Sequence, residues 1–202
     1  MNVLFVSPHP DDFILMYGGA LLKHKSKGDK IHILILSECE HLDRNKGIRA
    51  ETDSVIDTIV PDTSIRMGLS NGELWVPEIR AKVRYILEMY RDDVGIDLVY
   101  SPWKDDIHQD HSATFEEVAR VFRYRSVLRG YYPHSCPGFA ADYYVELTAD
   151  EFVKKREIIE HFKTQSGLRY MDYCYIGRVM TQAGDECGVE FAEKYKVWRL
   201  KE

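Results

Sequence analysis

Short apolar runs that alternate with segments of helical spacing restrict this chain's fold more than any other feature. Asn2 to Val6 and Ile31 to Leu36 are continuous apolar stretches rich in β-branched and aromatic residues, the pattern of strands buried on both faces. Ile65 to Met67 and Asp97 to Tyr100 read as a third and a fourth strand, the last closed by Ser101-Pro102 as Ser7-Pro8 closes the first. Between and after them, Tyr17 to Lys27, Gly47 to Ile59, Glu78 to Tyr90 and Ser112 to Tyr124 place apolar residues at helical intervals, with Gly28-Asp29 and Pro61 as stops. Strand–helix–strand succession of this kind predicts an α/β fold, a Rossmann-like three-layer α/β/α sandwich with a mostly parallel sheet. Beyond residue 129 the pattern weakens. Tyr143 to Leu147 alternates as an edge strand does, Ala149 to Lys163 reads as a helix capped by Thr148, and Glu190 to Leu200 reads as a last strand, so antiparallel edges are compatible with the sheet.

A length of 202 residues with 45% hydrophobic content predicts one domain, 1–202, with a sizeable core. The net charge of −6 comes without a Lys/Arg block, which argues against a nucleic-acid partner. Cys39, Cys136, Cys174 and Cys187 are scattered without a C-x-x-C pair and so give neither a zinc knuckle nor a disulfide framework. No stretch approaches the ~18 consecutive apolar residues of a membrane span, and the expectation is a cytoplasmic protein with no integral membrane segment. Gly18-Gly19 lacks the context of a phosphate loop and suggests close helix packing.

Two polar clusters carry the chemistry. His9, Asp11 and Asp12 follow the first strand, and His108, Asp110 and His111 follow the fourth. In a doubly wound sheet the carboxyl ends of parallel strands share one rim, so the clusters can meet across about a hundred residues of sequence. Adjacent acids there repel unless a cation, a donor or a proton holds them. Imidazoles with carboxylates form a catalytic zinc set that leaves positions open for water and substrate, and Fe(II) uses similar ligands. Against this stand plainer readings: His9 as a turn residue, Asp11-Asp12 as helix caps, and His108 and His111 as surface residues at a helix start. Trp75, in the stretch NGELWVPE, either stacks on a sugar ring or packs its loop. His24, His32, His41, His134 and His161 have no partner spacing, and Tyr131-Tyr132-Pro133-His134 suggests a rim loop.

His9-Pro10-Asp11-Asp12, then Gly18-Gly19, then His108-Gln109-Asp110-His111 resembles the metal-dependent N-acetylglucosaminyl deacetylases, the LmbE-like or PIG-L family. Arg49 with Glu51, Lys155 with His161 and Gln165, and Ala192-Glu193 are similar to later motifs of that family. The resemblance implies Zn2+ held by His9, Asp12 and His111, with Asp11 as general base toward a water. It implies that His108, oriented by Asp110, polarises the amide oxygen or protonates the leaving amine, and that Arg49 contacts the substrate. The chain departs from the family at Phe13, where an acid is usual, so that a polar contact supporting the metal loop is either missing or supplied from elsewhere, with Glu38 and Glu40 as candidates, and at Thr164-Gln165-Ser166, which transposes a family pair. The implied function is removal of an N-acetyl group from an N-acetylglucosamine-type sugar, nucleotide sugar or sugar conjugate. The alternatives are an Fe(II)-dependent enzyme and a non-catalytic metal- or sugar-binding domain of the same fold, and a homo-oligomer is left open.

Overall fold

The central strands of the sheet are apolar on both faces because helices cover both. The computed structural model describes residues 1–131 and 135–200; Tyr132, Pro133 and His134, part of the run that suggested a rim loop, lie outside the described residues. The elements run β1 (Asn2–Ser7), α1 (Asp12–Ser26), β2 (Lys30–Ser37), α2 (Ile48–Ile59), β3 (Thr63–Leu69), α3 (Pro77–Met89), β4 (Leu98–Ser101), α4 (Gln109–Val121), β5 (Ser126–Gly130), β6 (Tyr143–Leu147), α5 (Ala149–Ile159), α6 (Tyr173–Cys187) and β7 (Phe191–Arg199). They form a seven-stranded sheet in the order β3-β2-β1-β4-β5-β7-β6. β1 pairs in parallel with β2 and with β4, β2 with β3, and β4 with β5. β7 runs antiparallel to both β5 and β6, so the antiparallel strands gather at one edge.

Alternate residues of β1 point to opposite layers. Val3 and Phe5 enter a core with side chains of α1, α2, α5 and α6, including Tyr17, Ile48, Ile158 and Met180. Leu4 and Val6 enter a second core with Val83 and Leu87 of α3 and Val118 of α4. At ~1.5–3 kcal/mol for each large apolar side chain fully buried, these two layers hold the sheet in place.

Several boundaries differ from the sequence reading. α1 starts at Asp12 and not at Tyr17, and Phe13, Ile14, Met16 and Tyr17 are all buried; a helix apolar nearly all round gives no periodic signal to mark its first turn. α3 continues into a π-helical turn, Tyr90–Val94, closed by Gly95 at φ 71°. α5 ends at Ile159, four residues early, and a short 3-10 turn, Lys163–Gln165, follows. Thr148 does cap it: its side chain accepts from the Glu151 N–H while Glu151 accepts from Thr148, a capping box. Two elements gave no expectation at all, β5 and α6. Among the described residues no disulfide joins the cysteines, and no helix is long and apolar enough to cross a membrane.

Candidate metal centre

Strand order reverses direction at β1, with β2 on one side and β4 on the other, and ligands of open α/β sheets bind in the crevice beyond such a point. The loop after β1 and the first residue of α1 deliver His9, Asp11 and Asp12 there; the loop after β4 and the first turn of α4 deliver His108, Asp110 and His111. One ligand atom each of His9, Asp12 and His111 lies within 4.8 Å of the others, and all three residues are buried. Asp12 Oδ2 is the focus: it accepts the His9 backbone N–H at 2.9 Å and faces His9 Nδ1 at 2.9 Å and His111 Nε2 at 3.2 Å. The other nitrogen of His111, Nδ1, is 2.7 Å from Asp106 Oδ2, the carboxylate–imidazole pairing that fixes a metal-ligating histidine's tautomer and orientation.

Asp106 is a site residue that sequence reading missed, as it missed Arg44, Asn71 and Tyr170 of the surrounding cavity. It also accepts the His108 N–H at 2.8 Å, and the thiol of Cys136 stands 3.3 Å from its Oδ2. Its signal was a carboxylate two residues before His108, hidden by the adjacent Asp105, which ion-pairs on the surface with Lys104.

A second combination, His9, His108 and Asp110, also brings its donor atoms within 4.8 Å. It is the poorer ligand set, because the Asp110 carboxylate already accepts backbone N–H groups from Gly72 at 2.6 Å and Leu74 at 3.1 Å. The contact between Asp110 and His108 runs the other way from the one the resemblance implied: the Asp110 backbone N–H donates to His108 Nδ1 at 3.2 Å. An amide N–H can only donate, so Nδ1 is the unprotonated nitrogen and Nε2 carries the hydrogen. Burial, reinforced by the charges of His111 and His9, pushes the His108 imidazole down to about 4, which keeps it neutral at pH 7.

The acids divide sharply. Burial and the neighbouring Asp12 raise Asp11 from 3.8 to about 7. Burial acts on Asp12 in the same direction, but His111 and His9 outweigh it and hold Asp12 well below the usual carboxylate range. Burial alone would lower both imidazoles, yet Asp12 and Asp106 carry His111 up to about 9, and Asp12 with Asp110 holds His9 well above its ordinary value. The site therefore calls for positive charge between buried carboxylates, and a divalent cation is a chemical match to two imidazoles and a carboxylate. Asp11 is the N-cap residue of α1 by position, but its side chain makes no capping hydrogen bond, so the helix-cap reading does not describe it.

His9, Asp11, Asp12, His108 and His111 line a cavity of roughly 500 Å³ including its open mouth, together with Cys39, Arg44, Asn45, Ile48, Asn71, Gln165 and Tyr170. Gln165 donates to Asn45 Oδ1 at 2.8 Å, and Glu51 on α2 accepts both the N–H and the hydroxyl of Thr164, which binds the Lys163–Gln165 turn to the site. The Asn71 amide oxygen is buried without a hydrogen-bond partner among the described residues. Arg49 and Trp75 are not among the lining residues: the Arg49 guanidinium stands 3.6 Å from Glu38, and the exposed Trp75 indole donates to Gly72 O at 3.0 Å. Phe13 is fully buried in the core, and neither Glu38 nor Glu40 joins the lining.

A profile of the PIG-L family, described as GlcNAc-PI de-N-acetylase, matches residues 4–122. No curated protein matches the sequence significantly. Among solved structures, the conserved protein TT1542 from Thermus thermophilus is 21% identical with a TM-score of 0.85, over 100% of this chain and 96% of that one. The N,N'-diacetylchitobiose deacetylase from Pyrococcus horikoshii is 15% identical with a TM-score of 0.79, over 97% and 83%. GalB, the 4-carboxy-2-hydroxymuconate hydratase from Pseudomonas putida, is 17% identical with a TM-score of 0.79, over 100% and 99%. At these identities the likeness establishes the fold.

Proposed function

The chain belongs to the PIG-L family, and from that premise we propose that it is a zinc-dependent hydrolase that removes an N-acetyl group from an N-acetylglucosamine-type sugar or sugar conjugate. The observation that carries the reading is the convergence of His9, Asp12 and His111 within 4.8 Å beside a buried Asp11 whose carboxylate makes no hydrogen bond or ion pair with another described residue. His9, Asp12 and His111 would hold the ion. When bound, it supplies Lewis acidity toward the acyl carbonyl and toward water.

The remaining work falls to the chain's own side chains. Asp11, buried beside the ligand set and with no hydrogen bond from another described residue, takes the proton of the attacking water and can return it to the departing amine. His108, neutral and protonated on Nε2, donates a hydrogen bond to the carbonyl oxygen as negative charge develops there. Asn71 and Gln165 offer amides to sugar hydroxyls. Arg44, which lines the cavity and has no ion pair among the described residues, offers a guanidinium to a phosphate or carboxylate on a conjugated substrate.

Because a hydratase shares the fold, acetate release is the deciding readout. Protein stripped with chelator and reloaded with zinc is incubated with N-acetylglucosamine, its nucleotide conjugate and diacetylchitobiose. Metal-dependent acetate from one of them supports the reading; bound metal without acetate from any overturns it in favour of a hydratase or a binding domain.

A further inference from the structure

Gly18-Gly19 is explained by what lies behind it. A Cβ on Gly18 would stand 3.1 Å from Cγ of Lys155, and one on Gly19 would stand 2.5 Å from a Leu147 methyl and 2.9 Å from Cδ of Glu193. Lys155 on α5 and Glu193 on β7 form an ion pair at 2.7 Å, with side chains only 3% and 4% exposed. Its outward hydrogen bonds go to the backbone of α1. Lys155 Nζ donates to the carbonyl of Leu15 at 2.8 Å, and Glu193 accepts the N–H of Gly19 at 2.6 Å and of Ala20 at 2.8 Å. The hydroxyl of Tyr195 donates to Glu193 Oε2 at 2.5 Å and lies 3.3 Å from the carbonyl of Met16.

Residues 15 and 19, and 16 and 20, are two successive i, i+4 pairs, the pairs whose carbonyls and amides bond one another in an undisturbed helix. Side chains reach three of these four groups: Lys155 donates to the Leu15 carbonyl, and Glu193 accepts from the amides of Gly19 and Ala20. Side chains inserted into the ladder are one of the few causes that redirect a helix.

We infer that Lys155, Glu193 and Tyr195 are positioning residues, a side-chain insertion in α1 that sets where the helix's first two turns, bearing Asp11 and Asp12, stand against His111 on α4. The inference rests on the metal reading above for its functional consequence. The three residues lie in the part of the chain beyond the 4–122 family match, so the C-terminal third completes the site through α1 as well as through Gln165 and Tyr170. Without these contacts α5 and β7 no longer hold the amides of Gly19 and Ala20 or the carbonyl of Leu15, and the N-terminal turns shift along their axis. Asp12 Oδ2 then loses its joint approach to His9 and His111.

The test compares wild type with Glu193→Gln, which puts an NH2 opposite one of the two amides, and with the neutral pair Lys155→Met/Glu193→Leu, which avoids an unpaired buried charge. Leu87→Ala, in the core on the other face of the sheet, controls for lost stability. Zinc affinity of the folded protein is read by chelator competition, and backbone exchange of Gly19 and Ala20 is read in metal-free protein. Both clamp variants are expected to weaken zinc binding ~10- to 100-fold and to alter exchange at those two amides, while Leu87→Ala leaves zinc affinity unchanged. Clamp variants that lose thermal stability like Leu87→Ala yet keep wild-type zinc affinity would overturn the positioning role. Wild type that binds no zinc overturns the metal reading and, with it, the functional consequence; the exchange data then decide separately whether the insertion exists.

Discussion

Asp11 and Asp12 are neighbours in sequence with opposite fates, and the difference is which groups face them. Asp12 receives two imidazoles, whereas Asp11 is buried beside a carboxylate and without a donor from another described residue. Replacing Asp11 with Asn should lower kcat by ~10²–10⁴ while zinc content stays at the wild-type level; full turnover in the variant would remove Asp11 as the base. The same residue carries a stability cost. A carboxyl raised from 3.8 to about 7 binds its proton more tightly folded than unfolded, so its stabilising contribution is present at low pH and is lost as pH rises from about 4 through about 7. Metal-free Asp11→Asn should therefore be more stable than wild type at pH 8, by roughly 2–4 kcal/mol, and nearly equal to it at pH 4; denaturant unfolding at the two pH values measures this. Asp106→Asn, which removes the carboxylate facing His111 Nδ1, should weaken zinc binding ~10- to 100-fold. The acids and imidazoles of the site were legible because unlike residue types recur after two strands that end on one rim. Asp106 was not, since nothing in the stretch KDDIHQDH tells which of two adjacent aspartates turns inward, and the direction of the Asp110–His108 contact is set by the backbone of the first α4 turn and not by residue type.

The elements divide along the same line. Strands buried on both faces and amphipathic helices announced themselves, but β5 is a five-residue strand containing a buried arginine, Arg129, whose guanidinium lies against the rings of Phe115 and Trp198. No periodicity points to such a strand. α6 escaped because its buried face is built partly from small residues, Gly177, Ala183 and Gly184 beside Ile176 and Met180, and glycine inside a helix reads as a breaker. Its glycine has a reason: a Cβ on Gly184 would stand 2.6 Å from the backbone carbonyl oxygens of Val189 and Glu190, which cannot rotate away. Gly184→Ala should thus cost ~1–3 kcal/mol despite alanine's better helix propensity, or about 2–10 °C in melting temperature for a chain of this size; an unchanged or raised melting temperature would show that the α6–β7 corner relaxes freely.

At the scale of the whole molecule, the fold works as a way of bringing two loops a hundred residues apart to one crevice and then closing that crevice from the C-terminal side. The family match stops at residue 122, yet Gln165 and Tyr170 line the cavity and Glu193 reaches α1. Sequence reading registered Gln165 and Glu193 only as motif echoes and Tyr170 not at all, because the partners of the first two lie 120 residues away in Asn45 and 174 away in Gly19. Substrate choice belongs to this scale too. If Arg44 meets an anionic conjugate, Arg44→Met should raise KM for the nucleotide-linked sugar more than 10-fold, the ~1.5–3 kcal/mol of a charged hydrogen bond, and leave that for the neutral disaccharide unchanged. The most direct test of the account is acetate release measured against zinc equivalents added to chelator-stripped protein. The account predicts release that rises to a plateau at one zinc per chain in wild type and stays near zero in Asp11→Asn; release that is independent of metal, or none from any acetylated amino sugar once zinc is bound, would contradict it.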